Sequence, residues 1–177
     1  DKLQTLLQKS GINQGDTIII YGDKNNWFAA WAVWVFDIYG IKNVKLLDGG
    51  KNKWEAENRA LTPLATKVES GNIQITKTNN NLRARLNDVV AVATKESDFD
   101  LLDIRSAAEY SGKIFAPEGV PELSVRAGHI PGAINVSWSK AINEDGTIKS
   151  VSELKEIYTA AGIDGSKPII TYCRIGE

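Results

Sequence analysis

Gly162-Ile163-Asp164-Gly165-Ser166-Lys167-Pro168-Ile169-Ile170-Thr171-Tyr172-Cys173 is the stretch on which the fold turns, because an earlier stretch repeats it. Gly11-Ile12-Asn13 through Ile18-Ile19-Ile20-Tyr21-Gly22 aligns with it without a gap at a constant offset, 162 − 11 = 151 residues. The same offset pairs Leu3 with Leu154 and Leu6 with Ile157. Each copy reads as a helix, a Gly-Ile turn, a polar loop and a short apolar strand ending in tyrosine. In the second copy Ser150 precedes Val151-Ser152-Glu153 at capping-box spacing. Leu154, Ile157, Tyr158 and Ala161 then come at helical period. Gly162 stands where a left-handed C-cap is wanted. In the first copy Leu3, Leu6, Leu7 and Gly11 do the same jobs, with no cap ahead of the helix.

If the chain is duplicated, the copies supply different halves of one domain. The first supplies the part after the strand: a helix from Trp27 to Tyr39, with Trp27, Trp31 and Trp34 on one face, then a strand over Val44-Lys45-Leu46-Leu47. The second supplies the part before it. Residues 62–82 are polar and poor in helical period, as expected of a linker. Val89-Val90-Ala91-Val92-Ala93 and Leu101-Leu102-Asp103 then open a second α/β unit. Short buried-strand patterns alternating with helices predict an α/β fold, a parallel sheet with helices on both faces. The organisation expected is residues 1–61 as the C-terminal part of one unit, 62–85 as linker, and 86–177 as the N-terminal part of a second.

There is no methionine among the 177 residues, and the repeat implies unmatched segments. Relative to two whole copies, roughly 65 residues would precede Asp1 and roughly 35–40 would come after Glu177, for a total of about 280, two domains of ordinary size. The chain therefore reads as a piece of a longer protein. Two complementary half-domains could in principle dock into one hybrid sheet, with the Trp27 helix replacing a lost one.

Composition narrows the function. Apolar residues make up 42% and charged residues 24%, as in ordinary globular domains. A net charge of −1 offers no broad basic surface for nucleic acid or anionic lipid, although a local cationic pocket for a small anion is compatible with it. The most apolar stretch, Trp27 to Phe36, stops at Asp37 and is too short for a bilayer, which needs roughly 20 residues. No signal peptide is visible, so a reducing cytoplasm is the default setting for the lone cysteine.

Cys173 comes directly after an apolar strand, at the carboxyl end where open α/β sheets place their ligands. Arg174 is next, and Gly176 permits a tight loop. Inward-pointing N–H groups of such a loop, with a cation beside them, stabilise thiolate over thiol. Thiolate is what sulfur or phosphoryl transfer needs. The alternative is a buried strand-end cysteine without chemistry. The matched position in the first copy is Gly22, with Asp23 after it, so only the second copy carries a thiol.

Leu101-Leu102-Asp103-Ile104-Arg105 is a buried strand ending in an acid and a base. Arg105 either binds an anion or pairs with Asp103, and the ion pair is the reading that local context favours. In Arg126-Ala127-Gly128-His129-Ile130-Pro131-Gly132-Ala133 a tight turn surrounds the sole histidine, and a structural role for His129 is preferred over general base. One cysteine and one histidine do not assemble a metal site, no phosphate-loop glycine spacing is present, and no cofactor is expected.

Three of these pieces together resemble a known family. Asp103-Ile104-Arg105, Gly128-His129-Ile130-Pro131-Gly132-Ala133 and Tyr172-Cys173-Arg174-Ile175-Gly176-Glu177 resemble, in that order, the signatures of the rhodanese superfamily. Leu47-Asp48-Gly49-Gly50, with Trp54 shortly after, is similar to the closing segment of a rhodanese domain. The resemblance spans nearly the whole chain and is to the tandem type, in which an inactive first domain precedes a catalytic second one. It implies Cys173 as nucleophile, with Arg174, Arg105, Gly176 and Glu177 as substrate-binding residues and Asp103 and His129 as support. The Cys-Arg-Ile-Gly-Glu loop looks like the bacterial thiosulfate sulfurtransferase form, whereas mercaptopyruvate enzymes typically carry glycine where Arg174 stands.

By resemblance, the thiolate attacks the outer sulfur of thiosulfate, sulfite departs, and the persulfide passes sulfur to cyanide or a thiol. The partners implied are thus a small anionic sulfur donor and a cyanide or thiol acceptor. Where mammalian enzymes have a further substrate-binding arginine, four residues after Arg105, this chain has Glu109. That difference implies another arrangement for the anion or another donor. Two readings compete with a thiosulfate sulfurtransferase: a mercaptopyruvate sulfurtransferase, and a non-enzymatic sulfur carrier or regulatory module. A phosphatase-like relative with a longer loop is a third.

Overall fold

The computed structural model describes residues 2–121 and 123–174. It resolves into two compact units, Asp1–Arg83 with Glu144–Thr147, and Ala84–Asn143 with Ile148–Glu177.

In the first unit, α1 (Lys2–Lys9) leads to β1 (Ile18–Ile20), α2 (Trp27–Ile38), β2 (Val44–Leu46) and α3 (Gly50–Ala56). The strands are parallel, with Ile18 opposite Val44 and Ile20 opposite Leu46. Parallel strands need a crossover, and α2 supplies it. The core forms around Leu7, Phe36 and Ile73, with Leu3, Ile12, Ile18, Ile20, Val35 and Val44 packed against it. The tryptophan face of α2 is therefore not its core face: Ala29 and Phe36 are buried, while Trp27 and Trp31 are 48% and 42% exposed.

The segment read as a linker contains no α-helix or strand, yet part of it is bound to the first unit. Gly71 N donates to Gln8 O and Ile73 N to Ile12 O, while Asn79 N donates to Ile38 O. The side chain of Ile73 completes the core, 4% exposed. Ile75, two positions on, packs against the same core, but a pair of apolar residues in a polar run is too short a pattern to read as an element.

The second unit contains α4 (Leu86–Ala93), β3 (Asp100–Asp103), α5 (Ala107–Tyr110), β4 (Ile134–Asn135), α6 (Val151–Ala160) and β5 (Ile169–Tyr172). Of its two opening apolar runs, Val89 to Ala93 lies in α4, and only Leu101-Leu102-Asp103 is strand. The sheet order is β4-β3-β5, all parallel. Alternation along β3 sends successive leucines to opposite faces. Leu101 packs with Ala133 and Ile170 against Val89 and Val92 of α4 and Tyr110 of α5. Leu102 packs with Val136 and Ile163 against Ile157 and Tyr158 of α6. The central strand is thus covered on both sides, as a parallel sheet requires.

The two repeated segments fold alike. After α1, Gly11 N donates to Gln8 O and Ile12 N to Leu7 O; after α6, Gly162 N donates to Thr159 O and Ile163 N to Tyr158 O. Both glycines are left-handed, φ +81° and +92°, which closes each helix at little steric cost. Ser150 caps α6 reciprocally with Glu153. Each copy nevertheless lies in its own sheet, which overturns the hybrid-sheet expectation. β1 finds its ladder partner in β2 and β5 finds its own in β3, so each strand pairs without borrowing from the other copy.

Candidate active site

The register of the second sheet places Asp103 opposite Tyr172, so β3 and β5 end side by side. Their loops, Ile104-Arg105 and Cys173-Arg174, therefore leave the sheet at the same level. Ile104 N donates to Tyr172 O at 3.2 Å, extending the ladder by one bond. Cys173 is half-buried at this end, one residue beyond β5.

Asp103 is fully buried and Arg105 nearly so. Arg105 Nη2 donates to Asp103 Oδ2 at 2.6 Å and Nε to Oδ1 at 3.0 Å, while the Arg105 backbone N also donates to Oδ1 at 2.9 Å. The remaining guanidinium bonds go to Gly128 O at 2.8 Å and Ser124 Oγ at 3.4 Å. Burial pushes the Asp103 carboxyl up, but hydrogen bonds from Arg105 and Tyr172 outweigh it and hold the group below the ordinary carboxylate range.

Tyr172 joins the same network. Its hydroxyl bonds to Asp103 and accepts from Ile130 N at 3.2 Å, and its ring lies 5.7 Å from the Arg105 guanidinium. Burial first, and the Asp103 carboxylate next, push its pKa up to about 12. Asn135 closes the end of β3 by donating through Nδ2 to Asp103 O and Arg105 O. The three sequence motifs are consequently fastened to one another around a single buried carboxylate.

His129 lies outside this network. Its ring stacks on Tyr110 at 3.6 Å and 11°, and Nδ1 donates to Tyr110 O at 2.8 Å. Tyr110 in turn donates through its hydroxyl to Ala133 O at 2.8 Å. These contacts pin the turn on which Gly128 and Gly132 take left-handed φ of +89° and +84°.

Arg174 is tied to α5 by Glu109: Nη1 donates to Oε1 at 2.8 Å. The Arg174 side chain is 19% exposed and that of Glu109 only 3%. The other carboxylate oxygen, Oε2, accepts from Ser106 N at 3.1 Å and Ser106 Oγ at 2.7 Å, the capping box of α5. Burial pushes the Glu109 carboxyl up, while Ser106 and then Arg174 pull it down, leaving it below its ordinary value. Arg174 Nε is buried with no acceptor among the described residues. Gly176 and Glu177, the remaining loop residues singled out in the sequence, lie outside the described residues.

Tyr172 and Glu109 are the residues whose part sequence reasoning missed. Ser106-Ala107-Ala108-Glu109 has capping-box spacing and was legible as a helix start. That the spare oxygen of Glu109 meets Arg174, 65 residues away, was not. Among the described residues no group of three or more His, Cys, Asp or Glu side chains is placed to hold a metal. No described helix is long and apolar enough to cross a membrane.

A parallel sheet covered on both faces, with a half-buried thiol at the carboxyl end of a strand beside a motif-built anchor, defines a class of protein. The rhodanese-like domain model matches residues 1–57 and 80–177, and the chain belongs to that family. Among the similar proteins, one from Mycolicibacterium smegmatis carries the provisional name thiosulfate sulfurtransferase; it is 53% identical over 176 residues, 97% of this chain and 61% of its own length. The sulfur carrier protein TtuD of Thermus thermophilus is 41% identical over 180 residues, 100% of this chain and 63% of its own. The crystal structure of SseA from Escherichia coli, a 3-mercaptopyruvate sulfotransferase, superposes with a TM-score of 0.83 at 27% identity, covering 99% of this chain and 63% of that one. The chain thus spans about three fifths of the length of these relatives.

Proposed function

We infer that this chain carries the sulfur-accepting half of a sulfurtransferase, with Cys173 as the nucleophile that becomes a persulfide. The observation that carries the reading is the position of Cys173: one residue past β5, next to Arg174, on a strand end locked to β3 through Tyr172 and Asp103. A thiolate there would attack the outer sulfur of thiosulfate and release sulfite. Cyanide or a thiol would then take the sulfur and regenerate the thiolate. Support comes from relatives named for thiosulfate sulfurtransfer at 53% and 51% identity.

In this reading Cys173 is the catalytic residue and Arg174 its neighbouring cation. Gly176 and Glu177 are assigned to substrate binding by their place in the motif. Asp103 and His129 are supports, and Arg105 belongs with them rather than with the substrate, because its guanidinium is committed to Asp103, Gly128 and Ser124. The chemistry sits in residues 86–177, whereas 1–61, with part of the 62–85 segment packed into their core, form a related unit without a thiol. A reducing cytoplasm suits a thiol that must stay reduced.

Incubation of the protein with thiosulfate, with intact mass measured afterwards, tests the reading. The expected result is a gain of one sulfur atom that cyanide removes and that Cys173→Ser prevents. Absence of any gain in a folded protein with an alkylatable Cys173 would sink it. A sulfur-carrier role is the second reading, favoured by the 41% identity to TtuD. Steady turnover with cyanide marks an enzyme; a single stoichiometric loading marks a carrier.

A further inference from the structure

Both arginines of the Asp103-Ile104-Arg105 and Cys173-Arg174 motifs are already paired with carboxylates, Arg105 with Asp103 and Arg174 with Glu109. The first pair is deep and structural. The second lies beside the thiol, and its carboxylate is held from two directions: the capping box fixes Oε2, so Oε1 is presented to Arg174 in one place. Such a pairing, a single charge-assisted bond to a fixed oxygen, restrains Arg174 from swinging towards an incoming anion and offsets the charge that would attract one.

We propose that Glu109 is a positioning residue that sets the charge preference of the site: by pairing with Arg174, it favours sulfane donors bearing one negative charge over the dianion thiosulfate. The inference deepens the sulfurtransferase reading and rests on it for the identity of the reaction. Two donors with the same reacting group separate the cases. Thiosulfate, S–SO3 with two negative charges, gives its outer sulfur to the Cys173 thiolate; the S–S bond breaks, sulfite leaves with the electron pair, and a cysteine persulfide anion forms. Methanethiosulfonate, CH3SO2–S with one negative charge, does the same and releases methanesulfinate. Charge balances in both, three negative charges on each side in the first and two in the second, and no oxidant or reductant is consumed.

Among the described residues, the charged and titratable groups tied to the two strand ends next to Cys173 are Arg174 on its own loop, Glu109 from α5, the Asp103–Arg105 pair and Tyr172. Of these, Glu109 is the one whose charge acts on the loop arginine directly. Glu109→Gln removes the charge and leaves one acceptor oxygen for which Arg174 and the Ser106 cap compete, whereas Glu109→Asp keeps both oxygens and the charge.

The experiment measures initial rates of Cys173 persulfide formation, by intact mass, for thiosulfate and methanethiosulfonate in wild type, Glu109→Gln, Glu109→Asp, Arg174→Gln and the Glu109→Gln/Arg174→Gln double variant. Expected in Glu109→Gln is a rise of about 3- to 10-fold in the thiosulfate-to-methanethiosulfonate ratio, the scale of one charge released near a partly exposed site. Glu109→Asp should restore the wild-type ratio, and Arg174→Gln should lower it. In the Arg174→Gln background Glu109→Gln should raise the ratio less, because the effect passes through Arg174. A donor-independent control is the ratio of iodoacetate to iodoacetamide alkylation at Cys173, which must move in the same directions. An unchanged ratio in Glu109→Gln, with both donors loading, overturns the inference and leaves the sulfurtransferase reading intact. Failure of both donors to load the wild type overturns that reading instead, and the alkylation ratios still decide the part of Glu109. Should Glu109→Gln not fold, Glu109→Ala is measured in its place, with the same rise in the ratio expected and an unchanged ratio overturning the inference.

Discussion

The two copies of the repeated segment end in loops that are tied down in different ways. After β1, Gly22 N donates to Asn26 Oδ1 at 2.8 Å and Asn26 Nδ2 donates to Leu47 O at 2.7 Å. An uncharged, buried amide thus closes the loop on itself, and Lys24, Asn25 and Asn26 take left-handed φ of 45°, 57° and 61° to allow it. After β5, a thiol stands in the matched position, and the residue behind it is tied by an ion pair to a different helix. The tyrosines differ too. Tyr21 is 62% exposed, whereas Tyr172 is half-buried because β3 places Asp103 opposite it. One scaffold therefore carries either a turn closed by a neutral amide or a thiol-bearing loop tied by an ion pair. The choice lies in a thiol and in whether the anchor is neutral or charged.

The sharpest way to break this contrast is to move the thiol. At Gly22 a Cβ would meet Ala29 Cβ at 3.6 Å and Asn26 Oδ1 at 3.8 Å, ordinary contacts, so Gly22→Cys should fold. In a Cys173→Ser background it should nevertheless take up no sulfur from thiosulfate, because Asn26 closes the loop and the neighbouring residue is the anion Asp23. Sulfur uptake by the double variant, read by mass, would show that the scaffold alone suffices.

The anchors themselves should differ in strength. Arg105→Ala leaves Asp103 buried and unpaired, and urea unfolding of the second unit should show a loss of about 3–5 kcal/mol. Asn26→Ala orphans Gly22 N–H and Leu47 C=O in the first unit, at a cost of about 2 kcal/mol. Equal losses would mean that the charged network adds nothing over the amide.

Acid should separate the two anchors with the smallest effect. Asp103 and Glu109 have folded values below their ordinary ones. The stability they contribute is therefore fully present above the ordinary carboxylate pKa of about 4 and drains as pH falls through the lower folded values. The Asn26 tie does not titrate. Urea midpoints tracked from pH 7 down to pH 3 should fall less steeply for Glu109→Gln than for wild type, while Asn26→Ala keeps the wild-type slope. Parallel curves for Glu109→Gln and wild type would remove the Glu109–Arg174 pair from the stability of the folded state.

Much of the frame was legible along the chain. The 151-residue offset, the Ser150–Glu153 box and the glycines at 11 and 162 identified the helix-turn-strand units, because caps and left-handed turns are local and depend on residues within a few positions. Ile73 escaped notice because Ile73-Gln74-Ile75 is only one alternation in a polar run, too short to mark an element. The tryptophan stripe of α2 marked a helix face without saying which way it would turn, since spacing defines a face and packing orients it.

At the site the same division holds. Cys173 at a strand end, the Asp103–Arg105 pair and the tight turn around His129 come from residue type and neighbours, and so does membership of a family whose motifs they are. That Tyr172 would bridge Asp103 and Ile130, and that Glu109 would capture Arg174, came from register and from the seating of α5 against the loop. Those contacts join residues 42 to 69 positions apart. A hydrogen bond is set by ångströms between chain segments, and only the packed sheet brings those segments within reach.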